Sequence, residues 1–519
     1  MSLRPLHSSR RHFLRQAGTL SALLGGAAPL ALNLLAAGSA TAQSAVDYKA
    51  LVCLFLSGGN DAFNMVLATD TPSWSAYGAA RNQAPDSIAL LSPGVVANAA
   101  AAAGSPARLG GVLPIAPLHA QGRSFALHPL LGPLQTLFDS DRRLAIVPNI
   151  GPLVMPTSKA QYSQPSHPKP ARLFSHNDQQ NTWQALAPEG ATAGWGGRLG
   201  DLLASANSQP VFTAVSASGN AVWLSGQSVR QYQVGSSGAV RLGLDANNRL
   251  YGSAEVGAAL QRIVSGSRGS HLFEADMAAI GKRSIAAELL LRSALRPASD
   301  AAFGTAPASG AYSANTDPKL QYDNPLSGAK AVNTLAQQFQ IVARLVDAGL
   351  SGASGARRQV FFVSLGGFDS HDLQNRNQAD LMARLAHALS YFDSALGALG
   401  ARDGVTTFTA SDFGRTFTSN GDGTDHGWGA HHFVMGGAVR GGDLYGNFPV
   451  LGVKNAGNNN FDSSPNQLGN GALLPETAVD QLGATLGRWF GASDTQLLDV
   501  FPNLKNFDAS QRYLGFMAS

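Results

Sequence analysis

LVCLFLSGGND, residues 51–61, is a run of six apolar residues stopped by Ser57, Gly58 and Gly59, with Asp61 just beyond. A strand with one wet face would alternate apolar and polar residues. An uninterrupted apolar run this short reads instead as a strand covered on both faces, as in a parallel sheet under helices. The paired glycines end it in a tight turn. The same layout returns along the chain. RLAIVPNIG (143–151) is a second strand and turn. RRQVFFVSLGGFDSH (357–371) is a third, with Asp369 and His371 past its glycines. VTTFTASDFGRT (405–416) sets Asp412 after its strand, and HFVMGGAV (432–439) is a fifth run. Helical periodicity fills the gaps: Leu335, Phe339, Val342 and Val346 share one face, and Leu381, Leu385, Leu389, Phe392, Leu396 and Leu399 share another. VDQLGATLGRWFG (479–491) is a late amphipathic helix. Strands alternating with helices predict an α/β fold with a mostly parallel sheet. Ligands of such sheets bind at the carboxyl ends of the strands, where Asp61, Asp369, His371 and Asp412 all fall.

The chain has 519 residues, of which 44% are hydrophobic and 13% charged, enough apolar content for a large core. Its one cysteine, Cys53, sits in the first strand, which excludes an internal disulfide and suggests packing. The N-terminus reads as a segment apart from the fold. Arg10-Arg11 precede Phe13 and Leu14, a weakly apolar stretch follows, and Ala40-Thr41-Ala42 offers a small-residue cleavage site. This layout predicts a twin-arginine signal peptide over 1–42, export by the twin-arginine translocase, and a periplasmic or secreted location. The remainder, 47–519, reads as one α/β domain with loop insertions near 92–112, 297–330 and 454–474. No later segment has the ~20 apolar residues of a membrane span, so no permanent membrane span is expected. The signal holds four of the 37 basic residues and no acid, which leaves 33 of each sign in the rest of the chain. That balance gives no support to nucleic-acid binding. P-loop, nucleophile-elbow and dinucleotide-binding glycine signatures are absent from the sequence.

The residues that carry chemistry gather in TASDFGRTFTSNGDGTDHGWGAHHFVMGG (409–437), with Asp412, His426, His431 and His432 on a glycine-rich loop. Carboxylates with imidazoles and no thiolate suit a divalent metal ion: zinc, or a harder ion such as manganese or magnesium. One or two such ions could hold a phosphate or sulfate ester and stabilise its attacking and leaving oxygens. Each residue also has a structural alternative. Asp61 could cap the helix after the first strand, Asp369-Ser370-His371 could form a turn, Asp412 could pair with Arg415, and His431-His432 could pack at a strand start.

LVCLFLSGGNDAFNMV, LFSHNDQQNTW, GGFDSH, SDFGRT, DHGW, GAVRGGDLYG and VDQLGATLGRWFG followed by VFPNL appear in this order. Together they resemble the domain-of-unknown-function family 1501, exported bacterial proteins placed in the alkaline-phosphatase-like superfamily with the sulfatases. The resemblance implies a doubly wound α/β core, an alkaline-phosphatase-like arrangement with loop insertions, and metal ions on the strand ends. It makes Asp61 the first-strand metal aspartate, Asp369 and His371 the Asp…His pair, and Asp412 the aspartate of an Asp-His pair whose histidine is here Phe413. His426, His431 or His432 supplies the last metal histidine, with His426 favoured. Ser175 has the chain position of the nucleophile, His176 adjoins it, and Asn64 follows Asp61 in the first loop to position a substrate oxygen. A water on the metal is the alternative attacking group. The expected function is thus a metal-dependent hydrolase of a small phosphate or sulfate ester. The alternative is a non-catalytic exported binding or assembly protein on the same scaffold.

Overall fold

The central strand forms where the apolar run lies. The structure, a computed structural model, describes residues 48–518 apart from 237, 240–243, 246 and 267–270; the signal expected over 1–42 lies outside the described residues. Nine strands make the main sheet: β1 (Lys49–Ser57), β2 (Leu144–Gly151), β3 (Ala214–Ser216), β4 (Tyr232–Gly235), β5 (Gly238–Ala239), β6 (Arg358–Gly366), β7 (Val405–Ser411), β8 (Ala430–Gly436) and β9 (Thr477–Ala478). They lie in the order β9-β2-β8-β7-β1-β6-β3-β4-β5. β1 pairs parallel to β6 and to β7, β6 to β3, β3 to β4, and β2 to β9. β8 runs antiparallel between β7 and β2, and β5 closes the far edge antiparallel to β4. The fold is α/β, with a mixed but mostly parallel sheet flanked by helices.

Alternation along β1 shows why its run is unbroken. Val52, Leu54 and Leu56 pack with Leu335, Phe339, Val342, Leu385, Leu389 and Phe392 in one core. Leu51, Cys53 and Phe55 face the other side and pack with Trp195, Leu199, Leu482 and Leu486. The first core is covered by α5 (Thr334–Leu350) and α6 (Gln374–Ala398), the second by α3 (Trp195–Leu203) and α7 (Val479–Phe490). The remaining helices used below are α1 (Thr71–Arg81), α2 (His176–Ala185) and α4 (Leu272–Ala294). Burying each Val, Leu or Phe of β1 contributes about 1.5–3 kcal/mol, and a charge at Leu54 would break the sheet's middle. α5 starts at Asn333, whose side chain accepts from the amides of Leu335 and Ala336. The stretches expected as insertions are mostly irregular, with a short helix at Pro106–Leu109 and hairpin strands at Gln321–Asp323 and Lys330–Val332. Tyr48–Ser519 forms one compact unit. Among the described residues no helix is long and apolar enough to cross a membrane.

Candidate metal centre

The turn after β1 has to lie flat against its neighbours. Gly58 and Gly59 adopt φ of +116° and +84°, a region that side chains disfavour. A Cβ on Gly58 would meet the Asp369 amide nitrogen at 2.4 Å, and one on Gly59 would meet the Phe413 ring at 2.4 Å. The bare backbone lets the loops after β6 and β7 close over it. The register sets Ser57 beside Gly366 and Leu56 beside Ser411, so Asp369 and Asp412 emerge at the same end of the sheet, on either side of β1. The antiparallel β8 begins at this same end of the sheet, which brings the loop before it, with His426, across the strand ends. α2 follows β2 and delivers His176 as its first residue.

Asp412 is fully buried and surrounded by donors. The Gly58 amide reaches Oδ1 at 3.1 Å, and Gln180 Nε2 reaches Oδ2 at 2.8 Å. His176 Nδ1 lies 2.6 Å from Oδ2. Asp412 accepts from the Gly58 and Gln180 donors, and accepting from His176 as well puts the imidazole proton on Nδ1. The hydrogen bond to Asp412 raises the His176 pKa above its ordinary value, against the opposing effect of burial. His176 Nε2 is buried, makes no hydrogen bond, and stands 3.5 Å from Asp369 Oδ2.

His426 is fixed in the same manner by a different group. Its Nδ1 lies 2.8 Å from the Phe174 carbonyl, which can only accept, so Nδ1 carries the proton and Nε2 faces Asp369 Oδ1 at 3.5 Å. Burial pushes its pKa down and favours the neutral ring. Asp369 is tied by Arg415, whose buried guanidinium donates to Oδ1 at 2.7 Å and to the Gly58 carbonyl at 3.2 Å. Partial burial would raise the Asp369 pKa, but the bond and charge of Arg415, with His176 and His371 nearby, outweigh it and hold the carboxyl below its ordinary value. His371 Nε2 lies 3.1 Å from Asp369 Oδ1 and 3.1 Å from His426 Nε2. Phe413 lies beneath, with ring centroids 4.7 Å from His176 and 4.6 Å from His426.

His176, Asp369 and His426 each offer an atom within 4.8 Å of the others, a triad that could hold a metal ion. The donor chemistry fits. Metal-ligating histidines characteristically spend their other ring nitrogen on a carboxylate or a backbone carbonyl, which sets the tautomer and aims the lone pair. His176 and His426 are both set in this way, and the unpartnered His176 Nε2 is the orphan a ligand would satisfy.

Of the residues expected from sequence, Asp369, His371 and His426 come together here. Asp412 stands behind them: both its oxygens are engaged, and it orients His176 instead of facing the open site. Arg415 pairs with Asp369, not with Asp412. Asp61 is elsewhere in its bonding. It caps the short helix Ala62–Asn64 through the Phe63 amide, and Arg81 of α1 grips it at 2.5 and 2.9 Å while Gln374 donates at 2.5 Å. Its carboxylate is thereby consumed by buried partners. Asn64 is buried too, bonded to the Ile88 carbonyl, Tyr77 and Arg81. His431 and His432 lie inside β8 on opposite faces of the sheet. His431 Nδ1 accepts from the Asn149 amide, His432 Nδ1 meets Thr409 Oγ1, and burial pushes both pKa values down to about 3, leaving neutral core histidines. Ser175 Oγ donates to Asp178 at 2.9 Å. The residue that sequence reasoning missed is His176. Its one signal was its place at the start of a helix after β2, beside Ser175.

A model of the family described as "Protein of unknown function (DUF1501)" matches residues 48–501. No curated protein matches the chain.

Proposed function

The chain belongs to the DUF1501 family, whose function is unknown, and from that premise we propose that it is an exported, metal-dependent hydrolase of phosphate or sulfate esters. One observation carries the reading: His176, Asp369 and His426 converge at the carboxyl ends of a parallel sheet, with the rear nitrogens of both imidazoles already committed. A donor set with two imidazoles favours zinc over magnesium. A divalent ion held there would supply Lewis acidity toward an ester anion and acidify water.

The chain's own residues have definable tasks in this reading. Asp412 keeps the proton of His176 on Nδ1. Arg415 fixes Asp369 and places a buried positive charge beside the site. The ten-residue helix α2 starts at His176, so its positive end also faces the site and favours an anion. Phe413, itself buried, packs against the two rings and holds them in place. Ser175 spends its hydroxyl proton on Asp178, so water is taken as the attacking group. The resemblance, which implies an alkaline-phosphatase-like arrangement, supports the ester class.

Purified protein loaded with zinc should cleave an aryl phosphate or an aryl sulfate. His426→Ala should lose both metal content and turnover, whereas Ser175→Ala should keep most of its turnover. A second reading, a binding or assembly protein on this scaffold, is favoured by the exposed apolar side chains of Leu272, Phe273, Met277 and Ile280 along α4. Zinc-loaded protein with no turnover across phosphate monoesters, diesters and sulfate esters would overturn the hydrolase and leave that reading standing.

A further inference from the structure

We propose that His371 is a fourth donor to the same metal ion and the one that yields when an anion binds, so that the site rests closed and opens by ligand exchange. This rests on the metal reading above and adds a regulation of the site.

The first support is the approach of two nitrogens. His371 Nε2 and His426 Nε2 are 3.1 Å apart. The Phe174 carbonyl has already taken the His426 proton at Nδ1, so in the neutral ring Nε2 presents a lone pair to His371. His371 Nε2 thus stands 3.1 Å from two atoms of the triad, His426 Nε2 and Asp369 Oδ1, within reach of the ion they would hold. The spacing says which kind. His371 Nε2, His426 Nε2 and Asp369 Oδ1 are separated from one another by 3.1–3.5 Å. The edge of a tetrahedron with zinc-like bonds is about 3.3–3.4 Å, while an octahedron with magnesium-like bonds has edges of about 2.8–3.0 Å. These three separations bracket the tetrahedral edge.

The second support is unequal anchoring. His176 is held at 2.6 Å by a fully buried carboxylate, His426 at 2.8 Å by a backbone carbonyl, and Asp369 at 2.7 Å by a buried arginine. His371 has only Asp425, whose Oδ1 lies 3.4 Å from its Nδ1, and its side chain is 45% exposed against 29% for His176 and 26% for His426. Four protein donors close a tetrahedral site, whereas catalytic zinc sites keep one position open. An ester or phosphate anion that is to reach the metal must therefore displace a donor. His371 is the least held, and Asp425 stands beside it to accept the ring as it swings away.

Cobalt(II) in place of zinc makes the coordination number visible. The wild-type cobalt protein should show the intense visible band of a four-coordinate site, and inorganic phosphate should weaken it. His371→Ala should still bind cobalt, show a weaker band from the outset, and bind phosphate at least about tenfold more tightly, because no donor has to leave. His371→Gln serves the same comparison if the alanine variant does not fold. A wild-type protein that takes up no cobalt overturns the metal reading and this proposal together. A variant that matches wild type in band intensity and phosphate affinity overturns this proposal alone and leaves the triad intact.

Discussion

Asp412→Asn removes one charge and almost no volume, and it separates orientation of the site from packing. The asparagine can still present its oxygen to the Gly58 amide, as Asp412 Oδ1 does at 3.1 Å. Its amide nitrogen then faces His176 Nδ1 and Gln180 Nε2, which bond Asp412 Oδ2 at 2.6 and 2.8 Å. Gln180 can relieve the clash by turning its own amide. His176 can relieve it only by moving its proton to Nε2, the atom aimed at Asp369. The lone pair a metal needs is then capped. Loss of a carboxylate behind a metal histidine typically costs about 10–100-fold in affinity, or about 1.4–2.8 kcal/mol. The substitution also loses a buried charge-assisted bond of about 1.5–3 kcal/mol, so stability has to be measured apart from affinity. Zinc competition against a chromophoric chelator reads the affinity, and a melt of the chelator-treated protein reads the stability. A folded Asp412→Asn protein with zinc affinity within about twofold of wild type would refute the argument, since a purely structural Asp412 moves the melt and not the competition.

Arg81→Met should cost about 3–5 kcal/mol in denaturant unfolding by leaving the Asp61 charge buried and unpaired, while zinc affinity per folded molecule stays at the wild-type value; a loss of metal without a loss of stability would return Asp61 to the site. Asp480, buried on α7, has its pKa pushed up to about 7, chiefly by burial. Its folded value lies above its unfolded value of 3.8, so the stability tied to its proton is complete below about pH 4 and is lost as the pH rises through 7. Asp480→Asn removes that loss and should raise the melting temperature at pH 8 but not at pH 4, with a ceiling on the order of 4 kcal/mol; equal effects at both pH values would contradict it. Arg10→Lys with Arg11→Lys should trap precursor in the cytoplasm, and unchanged delivery of that double variant to the periplasm would remove the twin-arginine assignment.

The sheet was legible because its central strands are dry on both faces. Val360–Leu365 and Leu51–Leu56 carry no polar residue that could be mistaken for a helix face, except Ser364, and glycine pairs mark where both end. The direction of β8 was not legible. HFVMGGAV would read alike either way, and only pairing with β7 and β2 sets it antiparallel. His426 was expected at the site because the resemblance favoured it on the glycine-rich loop, and Asp369 and His371 because strand ends attract ligands. Asp61 was assigned to it on the same ground, and what removed it was Arg81, twenty positions on in a helix whose sequence gives no sign that an arginine would be buried. His176 was passed over since a histidine at a helix start is unremarkable until the Asp412 carboxylate is known to sit behind it.

The placement of β1 has a consequence for how the molecule comes into being. It is among the first segments of the domain to be synthesised and the middle of the finished sheet, yet both its neighbours arrive late. The Ser411 hydroxyl that bonds the Leu56 carbonyl is 355 residues downstream. Until β6 and β7 leave the ribosome, β1 is an apolar strand with two naked edges, the kind of segment that recruits other chains. A nascent or truncated chain ending before residue 405 has no Asp412 to aim His176, and no His426 or Arg415. Completion of this sheet therefore waits for residues 358–411, and any ion the site carries is taken from whichever compartment the chain occupies when they dock.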